Sequence, residues 1–216
     1  MIGIGWMMKK SILLIEEYLD ELIKNPRCEL DYEKDYELLI AIVLSAQTTD
    51  KRVNKVTSVL FDKYPNIEML SKALVSDIED IIREIGTFRR KSIYVRDIAL
   101  KLFNDGYENV PNDRDYIESL PGVGRKTANV FLSNIYGVDA IAVDTHVARV
   151  SKRLGFVKNS DDVLMIERKL ERKIPRDKWS KVHHQMVLFG RYYCKAINPM
   201  CDSCKIKDIC KYKKNR

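Results

Sequence analysis

Two groups of residues in this sequence are spaced for chemistry. Cys194, Cys201, Cys204 and Cys210 form the pattern C-x6-C-x2-C-x5-C. Four thiolates this close in the chain suit a zinc ion or a [4Fe–4S] cluster, and spacing alone leaves both open. The chain has five cysteines, four of them within the last 23 residues. In an intracellular chain such clustering favours metal over disulfides, and Cys28, which stands apart, reads as a small core residue. The second group is Lys126 and, 18 residues on, Asp144. Lys126 falls in the first turn of a helix that opens after Leu120-Pro121-Gly122-Val123-Gly124. The helix dipole and a neighbouring cation such as Arg125 favour its neutral amine, which is a nucleophile. A lone lysine is ordinarily a solvated surface group, so this reading depends on its surroundings. Asp144 follows the apolar run Ile141-Ala142-Val143 and starts a helix. A carboxylate there serves as an N-cap, and a capping carboxylate is also held rigidly enough for catalysis.

The turn before Lys126 has its own chemistry. Gly122 and Gly124 flank Val123 and allow a tight turn, with Val123 packed inward. The amides of Val123, Gly124 and Arg125 would then face a phosphate oxygen at the positive end of the helix. A helix–Gly-Val-Gly–helix unit of this kind grips a nucleic-acid backbone without reading bases. A plain turn between helices would use the same glycines.

The elements that must position these residues are helices. Ile12, Ile15, Leu19 and Leu22 form one apolar stripe, ended by Asn25-Pro26; Tyr36, Leu39, Ile40 and Val43 form a second. Val53, Val56 and Leu60 form a third, with Asp50 as its N-cap. Ser76 to Glu79 has capping-box spacing ahead of Ile81, Ile82 and Ile85. Further helices are expected from Arg89 to Asn104, Asp113 to Ser119, Arg125 to Tyr136, through Val147 to Leu154, after Ser160 as a cap, and from Asp177 to Phe189. Only Ala140 to Val143 reads as strand-like, so the fold class is all-α. There is no repeat and no Gly/Ser linker, so any division into domains must be made by packing.

The chain of 216 residues is 45% hydrophobic and 32% charged, enough for a sizeable core and too apolar for global disorder. Residues 1–144 carry 19 Lys+Arg against 24 Asp+Glu, and residues 145–216 carry 19 against 7. A polyanionic partner for the C-terminal third fits this asymmetry, as does a merely solvated basic surface. No apolar run approaches the roughly 18 residues of a membrane span. The apolar start MIGIGWMM precedes Lys9 and Lys10 instead of following positive charge, so it does not read as a secretory signal; Met7 and Met8 are alternative initiators. An intracellular protein is expected.

LPGVGRKTANVFL (Leu120 to Leu132), followed by VDTH (Val143 to His146), closely resembles the endonuclease III family of DNA repair glycosylases, of the helix-hairpin-helix superfamily. The resemblance extends to LSAQTTD (Leu44 to Asp50) and to the four cysteines, and covers roughly Asp35 to Cys210. It implies a fold of two helical domains: residues 28–138, a six-helix domain with the hairpin, and residues 1–27 with 139–216, a domain carrying a C-terminal [4Fe–4S] cluster loop. DNA is implied to bind across the cleft between them. The activity implied is that of a bifunctional glycosylase and abasic-site lyase acting on oxidised pyrimidines in double-stranded DNA, because monofunctional branches carry Ser or Tyr where this chain has Lys126.

Catalytic roles pass to Lys126 and Asp144, and cluster ligation to Cys194, Cys201, Cys204 and Cys210. DNA contacts are implied for Gly122, Val123, Gly124 and Arg125, and for Gln47, whose family counterpart fills the gap left by a flipped nucleotide. His146 lies near the active-site mouth or is a structural hydrogen-bonding residue. The family often places a wedging Leu just after the glycine at Gly86; here Thr87 takes that place and Phe88 follows, as wedge or as core. The basic residues Arg191, Lys195, Lys205, Lys207, Lys211, Lys213 and Lys214 surround the cysteines. A cytoplasmic, nucleoid-associated monomer without membrane contact is expected. The rival classes are a non-catalytic DNA-binding module, which would leave Lys126 and Asp144 without a role, and an unrelated regulator with a structural zinc site.

Overall fold

A computed structural model describes residues 2–214, with side chains over residues 11–212, and every regular element among them is helical. The side chains of Met7, Met8, Lys213 and Lys214 fall outside the described residues. In chain order the elements are α1 (Ile2–Leu22), α2 (Asp35–Ser45), α3 (Asp50–Lys63), α4 (Ile67–Ser71), α5 (Val75–Ile81), α6 (Phe88–Asn104), α7 (Arg114–Glu118), α8 (Arg125–Tyr136), α9 (Thr145–Leu154), α10 (Val163–Lys173), a 3-10 turn (Arg176–Lys178), α11 (Trp179–Tyr192) and α12 (Lys211–Lys214). None of the described helices is long and apolar enough to cross a membrane.

The chain divides into two compact units, residues 29–138 and residues 1–28 with 139–216. The first unit is built around α2. Every residue from Tyr36 to Leu44 is buried, so this helix is enclosed on all sides rather than amphipathic. Helices α3, α6 and α8 pack on it, contributing the fully buried Leu60, Ile98 and Phe131, and α4 and α5 pack in turn on α6 through the fully buried Leu70 and Ile78. Burying a side chain of this size stabilises by about 1.5–3 kcal/mol. The short α4, started by the Asn66 side chain accepting from the Met69 amide, has no stripe long enough to read from sequence.

The second unit joins the two ends of the chain. Ile15 and Leu19 of α1 pack into one core with Val147 and Val150 of α9, Ile166 and Leu170 of α10, and Met186 and Phe189 of α11. Polar contacts reinforce the same junction: Lys178 pairs with Glu16 at 2.7 Å and Lys181 with Asp20 at 2.7 Å. Gly190 lets α11 approach α9 closely, since a Cβ there would sit 2.9 Å from the His146 Cβ.

Several local expectations change. Ala140 to Val143 forms no strand; it is a connector without a partner ladder, with Ile141, Ala142 and Val143 buried instead. Asp50 opens α3, and Thr49 is its cap. Ser76 lies inside the first turn of α5, which starts after Leu74 with no side-chain cap. Asp162, not Ser160, caps α10, accepting from the Met165 amide at 2.7 Å. Helix α1 begins well before Ile12. Cys28 is only partly buried.

Candidate functional site

In the first unit the hairpin consists of α7, a turn and α8. Asp113 caps α7 by accepting from the Asp115 and Tyr116 amides. The Leu120 amide donates to Ile117, and the Val123 amide donates to Leu120 at 3.1 Å. Val123 is buried as expected, but its amide is spent inside the turn and does not face outward. The two glycines are there for different reasons. Gly122 has φ +76, and a Cβ on it would meet the Tyr94 ring at 2.5 Å. Gly124, the N-cap of α8, has an ordinary φ of −116 and nothing within 4 Å of its Cβ position. The folded chain therefore needs glycine at 122 but not at 124, where the bare backbone leaves room for a close-approaching ligand. Gly122→Ala should lower stability to urea by about 2–4 kcal/mol, from the left-handed strain and the Tyr94 overlap. A variant as stable as the parent would mean that the ring simply swings aside.

Arg125 and Lys126 follow as the first two residues of α8, and both are exposed. Lys126 is thus carried on a rigid helix end rather than on a loop.

The same unit holds Gln47 and Phe88. Gln47 follows the C-cap Ala46 of α2, is exposed and has φ 59, a left-handed conformation rare outside glycine. Thr87, the N-cap of α6, is also left-handed at φ 57, and Phe88 after it is half-buried with the Arg89 guanidinium 5.4 Å from its ring centroid. These two bends adjoin, for the Cβ position of Gly86 lies 4.0 Å from the Gln47 carbonyl oxygen.

In the second unit Asp144 caps α9, its Oδ1 accepting from the Val147 amide at 2.7 Å. One oxygen of the half-buried carboxylate is thereby fixed. His146 is also half-buried; its Nδ1 lies 3.1 Å from Arg149 Nη2. Burial lowers the pKa of this imidazole, the Asp144 carboxylate opposes the shift, and Arg149 and Arg191 add to it. His183 and His184 are buried in α11.

No disulfide joins the four C-terminal cysteines, which line one pocket with Tyr18 and Phe189 among its walls. No three His, Cys, Asp or Glu side chains among the described residues are gathered to hold a single ion. Burial pushes the Cys194 and Cys204 thiols up, so thiolates there require a positive partner. Four soft donors around an apolar-walled pocket fit an iron–sulfur cluster. Arg153 donates to the Cys194 sulfur at 3.3 Å and to the Lys195 carbonyl at 2.6 Å, and stacks over Tyr212 at 4.1 Å. Arg149 donates to the Cys194 carbonyl at 3.1 Å and to the Gly190 carbonyl at 2.7 Å. Sequence reasoning missed both arginines. Their spacing of four along α9 places them on one face, which was the available signal. Among the surrounding cations, Lys195, Lys207 and Lys211 are exposed, whereas Lys205 is paired with Glu21 of α1.

The chain is similar to known proteins in sequence and fold. Residues 40–176 match the family described as HhH-GPD superfamily base excision DNA repair protein. Endonuclease III of Bacillus subtilis (strain 168) is 43% identical over 202 residues, covering 94% of this chain and 92% of its own. The solved structure of a trapped endonuclease III–DNA covalent intermediate, an estranged-adenine complex, superposes with TM-score 0.91 at 46% identity, covering 96% of this chain and 98% of that one. A non-covalent endonuclease III–DNA complex gives TM-score 0.92 at 46% identity, covering 96% and 97%. The fold and the hairpin thus define a helix-hairpin-helix base excision repair protein. Within that class the chain belongs to the endonuclease III family of DNA glycosylases with abasic-site lyase activity.

Proposed function

We propose that this protein removes oxidised pyrimidines, such as thymine glycol and dihydrouracil, from double-stranded DNA and then cuts the strand 3′ to the abasic site. The observation that carries the reading is Lys126, an exposed amine on the first turn of α8 directly behind the glycine turn. Its support is the likeness of the chain to an endonuclease III caught as a covalent DNA intermediate.

A damaged base stacks and pairs poorly, so rotating its nucleotide out of the duplex costs less. The Lys126 amine then attacks C1′ of the sugar. The C1′–N bond to the lysine forms as the glycosidic bond breaks, and the departing base takes the bonding pair and a proton. Asp144 accepts a proton from the attacking amine and stabilises positive charge developing on the sugar. The adduct opens to a protonated Schiff base. Loss of a proton from C2′ expels the 3′ phosphate, which is β-elimination, and water releases Lys126 from the imine.

The turn from Gly122 to Arg125 holds a backbone phosphate, Gln47 fills the vacated stack, Phe88 wedges the neighbouring step, and His146 lines the site. Cys194, Cys201, Cys204 and Cys210 would hold a [4Fe–4S] cluster, whose bound form supplies rigidity to its loop. Lys195, Lys207 and Lys211 are then set to meet phosphates. The protein works as a monomer on cytoplasmic, nucleoid DNA.

Borohydride trapping tests this reading, using duplexes that carry thymine glycol, an abasic site, a G·T mismatch or no lesion. A covalent complex with the thymine glycol and abasic duplexes is expected. Trapping with none of them, from protein that contains its cluster, would overturn it.

Asp144→Asn separates chemistry from capping, because Asn keeps the cap oxygen and loses the charge. Base removal should slow by about 100-fold or more while DNA affinity changes by no more than about threefold. Equal losses in both would make Asp144 a structural cap only.

A further inference from the structure

The end of α2 is built without the usual means of stopping a helix. Its last carbonyls lack a glycine to fold back onto them; the chain leaves through Ala46 and puts Gln47 in the left-handed region instead. The Ser45 hydroxyl donates to the Ile42 carbonyl and the Thr48 amide to the Ser45 carbonyl, but the donor for the Leu44 and Ala46 carbonyls comes from another helix. Lys91, in the first turns of α6, is 4% exposed, and its ammonium donates to the Leu44 carbonyl at 2.9 Å and the Ala46 carbonyl at 2.6 Å. A buried ammonium is costly unless hydrogen-bonded, and here it meets the negative end of the α2 dipole. Burial lowers its pKa.

The position of this lysine links two features. It belongs to the same helix that Thr87 caps, and it grips the carbonyl immediately before Gln47. Its side chain therefore ties the Gln47 bend to the Thr87–Phe88 bend, which lie close together, the Cβ position of Gly86 being 4.0 Å from the Gln47 carbonyl oxygen. Left-handed residues that are not glycine cost free energy and persist only where surroundings fix them.

We infer that Lys91 is a positioning residue for duplex opening: it clamps the Gln47 bend against the start of α6, so that both are preset when DNA is bound. The inference rests on the reading that Gln47 enters the duplex. It predicts that Lys91 matters where a nucleotide must be extruded and does not matter where none is stacked.

The test compares Lys91→Met, Lys91→Gln and Gln47→Ala, each loaded with its cluster. One substrate is thymine glycol in a fully paired duplex, and the other is an abasic site in a single strand. A third readout is the fluorescence of 2-aminopurine placed opposite a tetrahydrofuran abasic analogue, which rises when the duplex is opened. For Lys91→Met, excision from the paired duplex should fall by roughly 10- to 100-fold, the usual cost of misplacing a site by an ångström. Single-strand strand cleavage should change by no more than about twofold, and the 2-aminopurine rise should be lost, as for Gln47→Ala. Lys91→Met combined with Gln47→Ala should be little worse than either single change, because both remove the same interaction.

Should Lys91→Met fail to fold, Lys91→Gln carries the same comparison, because its shorter, uncharged amide offsets the burial of a polar group but does not span to both the Leu44 and Ala46 carbonyls as the ammonium does. Equal losses on both substrates, full activity on the paired duplex, or failure of both variants to fold would overturn the inference and leave Lys91 as a residue of the fold. If Gln47→Ala itself opens and processes the paired duplex normally, the Gln47 reading fails instead.

Discussion

Lys126→Gln should yield no borohydride-trapped complex with any duplex. Glutamine is one bond shorter and uncharged, but it keeps a polar, helix-compatible side chain at the exposed first turn of α8, so the hairpin and its caps stay intact. What disappears is the amine, and no Schiff base forms without it. Strand cleavage should fall by at least about 1,000-fold, whereas affinity for an uncleavable abasic analogue should stay within about threefold. The paired measurement is decisive. Trapping at full strength would mean that another amine is the nucleophile, and loss of binding in parallel would mean that Lys126 acts mainly on phosphate.

The second large effect concerns Cys204→Ser. The sulfur lies in the pocket shared with Cys194, Cys201 and Cys210, beside the Tyr18 hydroxyl of α1. An oxygen ligand of this kind holds iron poorly. Purified protein should lose most of its iron and the visible absorption of the cluster. Because ligation and folding are coupled, the melting temperature should drop by roughly 10 °C or more. The loop that carries Lys195 and Lys207 would then no longer be fixed. For every phosphate that a lysine ceases to neutralise, the slope of log affinity against log salt should become shallower by about 0.9. Full iron content would remove Cys204 from the ligand set, and an unchanged slope would show that these lysines do not meet DNA.

How far the sequence reached depended on how local the controlling chemistry was. Helix α8 was legible to the residue, because Gly124 and Gly137 punctuate it on both sides and its apolar positions repeat with helical period. So was the end of α9, which stops at Gly155 with φ +79. The apolar run at 141–143 misled because β-propensity describes a half-buried surface and not the presence of a partner; here the run is buried as a connector. Cap assignments at Ser76 and Ser160 failed because where the backbone turns, and not the residue type alone, decides which side chain caps.

The site divides along the same line. Lys126 and Asp144 stand at helix starts spelled out by Gly-Val-Gly and by the Asp itself. Lys91 was invisible, since its two carbonyl partners lie 47 and 45 residues earlier in the chain. The clue was indirect: α2 ends at Ala46-Gln47 with no glycine, so its carbonyls needed a donor from elsewhere. Arg153, reaching the Cys194 sulfur 41 residues away, was hidden in the same way.

The second unit is assembled from both ends of the chain, and this fixes an order of events during synthesis. Residues 29–138 form a continuous unit that can complete its core as soon as α8 has left the ribosome. Helix α1 emerges before all of it, yet Ile15 and Leu19 must wait for α9, α10 and α11 to be made before they are covered. A nascent chain halted after Val138 would therefore expose the apolar face of α1 beside a finished neighbour, and would be a substrate for chaperones until the last third arrives.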